Sequence, residues 1–182
     1  MKVINKLAIL SLVTAGTVFA QSPQLVGAWS VYSPANVAGK NVVMLQTTSV
    51  GQHQDADGNS VAAKLDIVCK NKKVVAIAVE TGTSIDKRTV SFSQAVPTTK
   101  VVFVAEGKGS VSENWEVADG GRTLSPYSEV FQTKLNRTWV ERISGTPKVV
   151  LQLNQKEGDE SLAPVFDTAQ LSDALSSVGC TQ

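Results

Sequence analysis

Histidine, cysteine and long apolar runs are all scarce in this chain of 182 residues, and each shortage removes a class of chemistry. His53 is the single histidine. A serine or cysteine nucleophile would have to share that one ring, and no serine stands in a G-x-S-x-G context. There are two cysteines, Cys69 and Cys180, with no C-x-x-C spacing, so a structural zinc site of four His and Cys ligands cannot be assembled. Neither sign of charge dominates: 17 basic residues stand against 16 acidic ones. Nucleic-acid binding normally shows as a clustered basic surface, and it is not expected here. Beyond residue 20 no run approaches the roughly 20 apolar residues that span a bilayer. The chain also lacks internal repeats, low-complexity linkers and any composition break that would mark a second domain.

What is present begins at the N-terminus. Lys2 and Lys6 precede an uncharged stretch, Ala8 to Ala20, that runs through Ile9, Leu10, Leu12, Val13, Val18 and Phe19. Val18 and Ala20 sit three and one positions before a cut ahead of Gln21. That is the layout of a cleavable secretory signal peptide, with an uncleaved N-terminal anchor as the competing reading. The expected organisation is a signal peptide over 1–20 and a single β-rich domain over 21–182, periplasmic or secreted, with no membrane span in the mature protein. With Lys2 and Lys6 removed, the mature balance is 15 basic against 16 acidic residues.

An exported destination changes the reading of the cysteines. In an oxidising compartment two cysteines invite one bridge, Cys69–Cys180, with two free thiols as the alternative. Closing a loop of about 110 residues would stabilise the fold by roughly 4–5 kcal/mol in the chain-entropy picture.

Short β-rich runs alternate with turn signals along the body of the chain. Leu25–Tyr32 and Val42–Val50 open it, the second with Val42, Met44 and Leu45 as inward candidates. Val61–Cys69 alternates Ala63, Leu65, Ile67 and Cys69 against Lys64, Asp66 and Val68. After the polar turn Lys70–Lys73, Val74–Thr81 places Val75, Ile77 and Val79 on one face, which completes the most secure hairpin in the sequence. Thr89–Gln94, Lys100–Ala105 and Asn114–Val117 follow as short strands, and Gly120-Gly121 marks a tight turn. Tyr127, Val130, Phe131 and Leu135 recur at helical spacing and predict a helix over Ser125–Arg137, with Ser125 as cap and Pro126 in its first turn. Thr138–Ile143 and Lys148–Leu153 return to strand character. A second helix is expected over Asp167–Val178, capped by Asp167 and stopped by Gly179. The fold class is mainly β (α+β): a twisted antiparallel sheet or compact sandwich with two helices, the last tethered by the disulfide.

No catalytic constellation survives inspection. His53 beside Asp55 and Asp57 offers too few ligands for a metal, and the Asp55–Asn59 run lacks the glycine position and closing glutamate of a calcium loop. Gly107–Ser110 lacks the upstream glycine of a phosphate loop. Glu113, Glu116 and Asp119 flank Trp115, an arrangement a glycosidase could use but one equally natural for surface charge beside a hairpin. Trp29, Trp115 and Trp139 read first as core. The sharper alternative makes Trp115, with Glu113 and Glu116, an anchor for a protein partner, because Trp is over-represented among interface hot spots.

Four ordered pieces carry a resemblance: Trp29-Ser30-Val31 with Ser33-Pro34 and the run Val42–Leu45; Leu65-Asp66-Ile67-Val68-Cys69-Lys70 with the Val75–Val79 strand; Ser112-Glu113-Asn114-Trp115-Glu116-Val117 with Asp119-Gly120 and Leu124; and Phe166-Asp167, Leu171, Ala174-Leu175 and Cys180. Together they resemble the VasI/TagO family of periplasmic accessory proteins associated with type VI secretion. The resemblance implies a non-enzymatic role, an envelope or secretion-apparatus protein as partner, no cofactor, and a bridge between Cys69 and Cys180. It supplies no catalytic residues. Two other functions compete with this expectation: a secreted inhibitor or immunity-type protein, and a cell-wall hydrolase with an unrecognised site.

Overall fold

The computed structural model describes residues 22–33, 41–54, 58–85, 90–93, 96–126, 132–153 and 162–181. The signal-peptide stretch 1–20 lies outside the described residues, as do Asp55, Asp57, Tyr127, Val130 and Phe131. Most strands form where the alternation expected them, with Thr138–Ile143 a helix instead, and they assemble into one antiparallel sheet of eleven strands. In chain order these are β1 (Gln24–Val26), β2 (Trp29–Tyr32), β3 (Val42–Thr48), β6 (Lys64–Lys70), β7 (Lys73–Glu80), β8 (Ser91–Ser93), β9 (Val96–Ala105), β10 (Gly109–Ala118), β11 (Thr123–Pro126), β12 (Lys148–Leu153) and β13 (Val165–Asp167). A separate small pair joins β4 (His53–Gln54) to β5 (Ser60–Val61). Across the sheet the order is β1-β2-β3-β6-β7-β11-β10-β9-β12-β13, with β8 on the side of β9. The sheet curls until its far end returns to its third strand. Val50, just past β3, bridges Val165 of β13 through a 2.7 Å bond from its N–H to the Val165 carbonyl.

One strand expectation splits in two. Leu25–Tyr32 is a hairpin rather than a single strand, because Gly27 at φ +59° reverses the chain and pairs Val26 with Trp29. The β6–β7 hairpin appears as expected. Its two-residue turn, Asn71 at φ +52° and Lys72 at φ +63°, is left-handed at both positions, which matches the twist of the flanking strands. A register shift between Val68 and Cys69 pairs Cys69 with Val74 and Val68 with Ala76. Val74, Ile77 and Val79 therefore face the main core, while Val75 packs with a second cluster. The expected Val75/Ile77/Val79 face is corrected by this bulge, which turns the chain over by one residue.

The first helix is displaced relative to expectation. Ser125 and Pro126 complete β11, opposite Glu116 and Trp115 of β10, and the helix α1 runs over Gln132–Ile143. Asn136, Trp139, Val140 and Ile143 are its buried face, a three-, four- and seven-residue spacing that absorbs the segment read as a strand. The second helix is shorter than expected. Val165–Asp167 is held in the sheet by β12, so Asp167 accepts the Ala169 N–H at 3.0 Å in a turn and α2 spans Leu171–Ser177. Gly179 at φ +64° ends that helix as expected.

The main core lies on one face of the sheet and under both helices: Trp29, Leu45, Leu65, Ile67, Phe103, Trp115, Leu124, Trp139, Leu151, Phe166 and Leu175 are all buried. Alternation leaves Tyr32, Val42, Met44, Val68 and Ala76 on the opposite face, where they form the second buried cluster. Strands β2, β3, β6 and β7 are thus buried on both sides. Cys69 and Cys180 are bridged, with Cα atoms 6.1 Å apart and a sequence separation of 111.

Candidate binding site

The sheet does not gather Trp115, Glu113 and Glu116 into one exposed patch. Trp115 is 1 % exposed and meets the Trp139 ring edge-on, with centroids 5.4 Å apart. Trp139 in turn meets Phe103 edge-on at 4.4 Å, donates its indole N–H to Glu113 Oε2 at 2.9 Å, and carries the Arg142 guanidinium 5.2 Å above its ring. The cause is strand period. Positions 113, 115 and 117 share the face that packs beneath α1, and position 116 points to the other side. Glu113 therefore serves the fold, as the acceptor for a buried indole, and the carboxylates do not converge as a catalytic pair would require.

His53 is also committed structurally: its Nε2 donates to the Thr81 carbonyl at 2.7 Å. Among the described residues no three His, Cys, Asp or Glu side chains come together as a metal site would require.

Two features stand out that the sequence did not single out. One is Asp66, fully buried on the second face of β6. Its Oδ1 accepts a 2.8 Å bond from Gln46 Nε2, and its Oδ2 has no hydrogen-bond partner among the described residues. Burial, reinforced by the nearby Glu80 carboxylate, pushes its carboxyl up to about 7, against the opposing effects of the Gln46 bond and the Lys64 charge. Glu80 is itself raised, chiefly by burial, although Lys64 Nζ lies 3.8 Å from its carboxylate. The Tyr32 hydroxyl is raised by burial and by both acids. The visible signal was an acid inside the alternating run Leu65–Cys69.

The other is a cavity of about 350 Å³ beside the disulfide, lined by Asn41, Val43, Cys69, Asn71, Lys72 and Val178. Three distant segments build it: the entry to β3, the β6–β7 turn and the end of α2. Val43 and Val178 are partly buried against the main core, whereas Asn41, Asn71 and Lys72 are exposed. Backbone and side-chain bonds fasten the walls to one another. Asn71 N–H donates to the Asn41 carbonyl at 3.0 Å, and Thr181 N–H and Oγ1 donate to the Lys72 carbonyl at 2.7 and 2.9 Å. Such a site can take up a small group and hold it between fixed walls.

No family model, no curated protein and no solved structure matches this chain.

Proposed function

We propose that this chain is a non-enzymatic exported envelope protein that acts by binding another protein, in the manner of the VasI/TagO-like accessory proteins of type VI secretion that its sequence resembles. The observation that carries the reading is the disulfide-braced end of the molecule, where Cys69–Cys180 locks the C-terminus against the β6–β7 hairpin beside a cavity with fixed walls. A bridge of this kind suits an oxidising compartment outside the cytosol, and the signal-peptide pattern of residues 1–20 supports the same destination. No helix among the described residues is long and apolar enough to cross a membrane.

The test is a crosslinked pull-down of the tagged mature protein from the periplasm of its own host, with partners identified by mass spectrometry. Recovery of secretion-apparatus or other envelope components is expected. Capture of a single toxin or enzyme would replace the adaptor reading with an inhibitor or immunity role. Turnover of peptidoglycan by the purified protein, lost in a carboxylate variant, would overturn the non-enzymatic reading.

A further inference from the structure

Resting on the protein-binding reading above, we infer that the cavity beside the disulfide receives a polypeptide C-terminus: a free carboxylate next to a small aliphatic side chain. The lining divides by chemistry. Val43, Val178 and Cys69 form an apolar floor, and Asn41, Asn71 and Lys72 form a polar rim that, among the described residues, holds no acidic group. An ammonium only donates hydrogen bonds, and side-chain amides can donate as well, so the rim asks for an acceptor of negative charge above an apolar group.

Charge supports the same occupant. Lys70, Lys72 and Lys73 are all exposed around this turn, and none has an acidic partner among the described residues. Three uncompensated lysines raise the local concentration of anions and speed their encounter. Size narrows it further. About 350 Å³ is near the lower end of ligand-sized pockets, roughly 300–1,000 Å³, which suits a terminal residue or two rather than an extended strand. The walls are also set before binding. Asn41 is tied to Asn71, Lys72 to Thr181, and Cys69 to Cys180, so little ordering cost is left to charge against the ligand.

The test titrates the isotope-labelled, disulfide-intact mature protein with N-acetyl-alanyl-valine, with its C-terminal amide and with isovalerate, followed by NMR. Saturable shifts at the Asn41 and Asn71 amides and the Val43 and Val178 methyl groups are expected with the peptide acid. Affinity should fall at least tenfold for the amide and in Lys72→Glu, with Lys72→Ala intermediate and both variants keeping wild-type spectra elsewhere. Equal binding of acid and amide, unchanged affinity in Lys72→Glu, or no saturable shift would overturn the inference. Isovalerate binding as tightly as the dipeptide would assign the cavity to a small free acid and overturn the chain-terminus assignment. The pull-down separates this from the broader reading. Partner capture that persists while the peptide acid fails to bind sinks the inference alone, whereas loss of all capture by the wild-type protein sinks the adaptor reading.

Discussion

Asp66 is buried with one carboxylate oxygen bonded to Gln46 and the other without a hydrogen bond among the described residues, so its ionisation is coupled to folding. In the native protein its carboxyl titrates at about 7, held up by burial and by Glu80, whereas an unfolded chain would titrate it at about 3.9. Between those values the native state holds a proton that the unfolded state has lost. The stability that Asp66 contributes should therefore be fully present below about pH 4 and be lost as pH rises towards 7, by on the order of a few kcal/mol. Glu80, also raised, acts in the same direction. Asp66→Asn keeps the acceptor for Gln46 and removes the ionisation, so its urea midpoint should change less between pH 5 and pH 8 than that of the wild type. An equal slope in both proteins would refute the assignment. At the same scale, Trp115 is a packing residue. Trp115→Ala should cost about 3–5 kcal/mol, read as a lowered denaturation midpoint, and a stability loss below about 1 kcal/mol would remove it from the core. Any loss of partner binding in that variant must be separated from loss of fold.

Among elements, the β6–β7 hairpin and helix α1 depend on one another at the bulge. Val75, skipped by the register, gives its carbonyl to Asn136 Nδ2 at 2.9 Å, and Asn136 is 2 % exposed. Asn136→Leu leaves that carbonyl without its donor in a buried setting and should cost about 1–3 kcal/mol. Thermal unfolding checks this, and an unchanged midpoint would show that water or a neighbour replaces the amide. The same place shows what could be read beforehand. Alternation through Leu65, Ile67 and Cys69 and the polar turn at Asn71-Lys72 made the hairpin legible, because both are local signals. The bulge was not legible, since it adds one residue without disturbing composition. Helix α1 was misplaced because Thr138, Trp139 and Val140 have strand propensity, and only packing beneath the sheet shows that Asn136 and Ile143 continue one helical face. Three tryptophans pointed correctly to the core. The cavity was invisible in sequence because Asn41, Asn71 and Val178 lie in three separate segments that only the fold brings together.

At the scale of the whole molecule, two devices tie the late part of the chain back to its earlier strands. Val50 and Val165 close the curled sheet through one bridge, and the C-terminus is pinned by the disulfide and by a parallel bridge between Lys73 and Thr181. Helix α2 has seven residues, too short to be stable by itself, so its order depends on Leu171, Ala174 and Leu175 in the core and on the covalent tie just beyond it. With a sequence separation of 111 between the cysteines, the bridge restricts the unfolded chain over most of its length, a contribution of roughly 4–5 kcal/mol before any strain is subtracted. The double variant Cys69→Ser/Cys180→Ser should lose most of that in a two-state denaturation. Its loss should also be uneven: amide exchange over Leu171–Ser177 and at Thr181 should accelerate more than in β9 and β10, because core packing and the hydrogen bonds of Thr181 with Lys72 and Val74 must then hold the tail without the covalent tie. Uniform acceleration would mean that the bridge acts only on the unfolded state, and an unchanged midpoint would mean that it contributes nothing to stability. Selective acceleration at the tail would show that one covalent bond both supports the fold and fixes the wall of the cavity beside it, so that reduction of the protein should weaken peptide-acid binding before it unfolds the sheet.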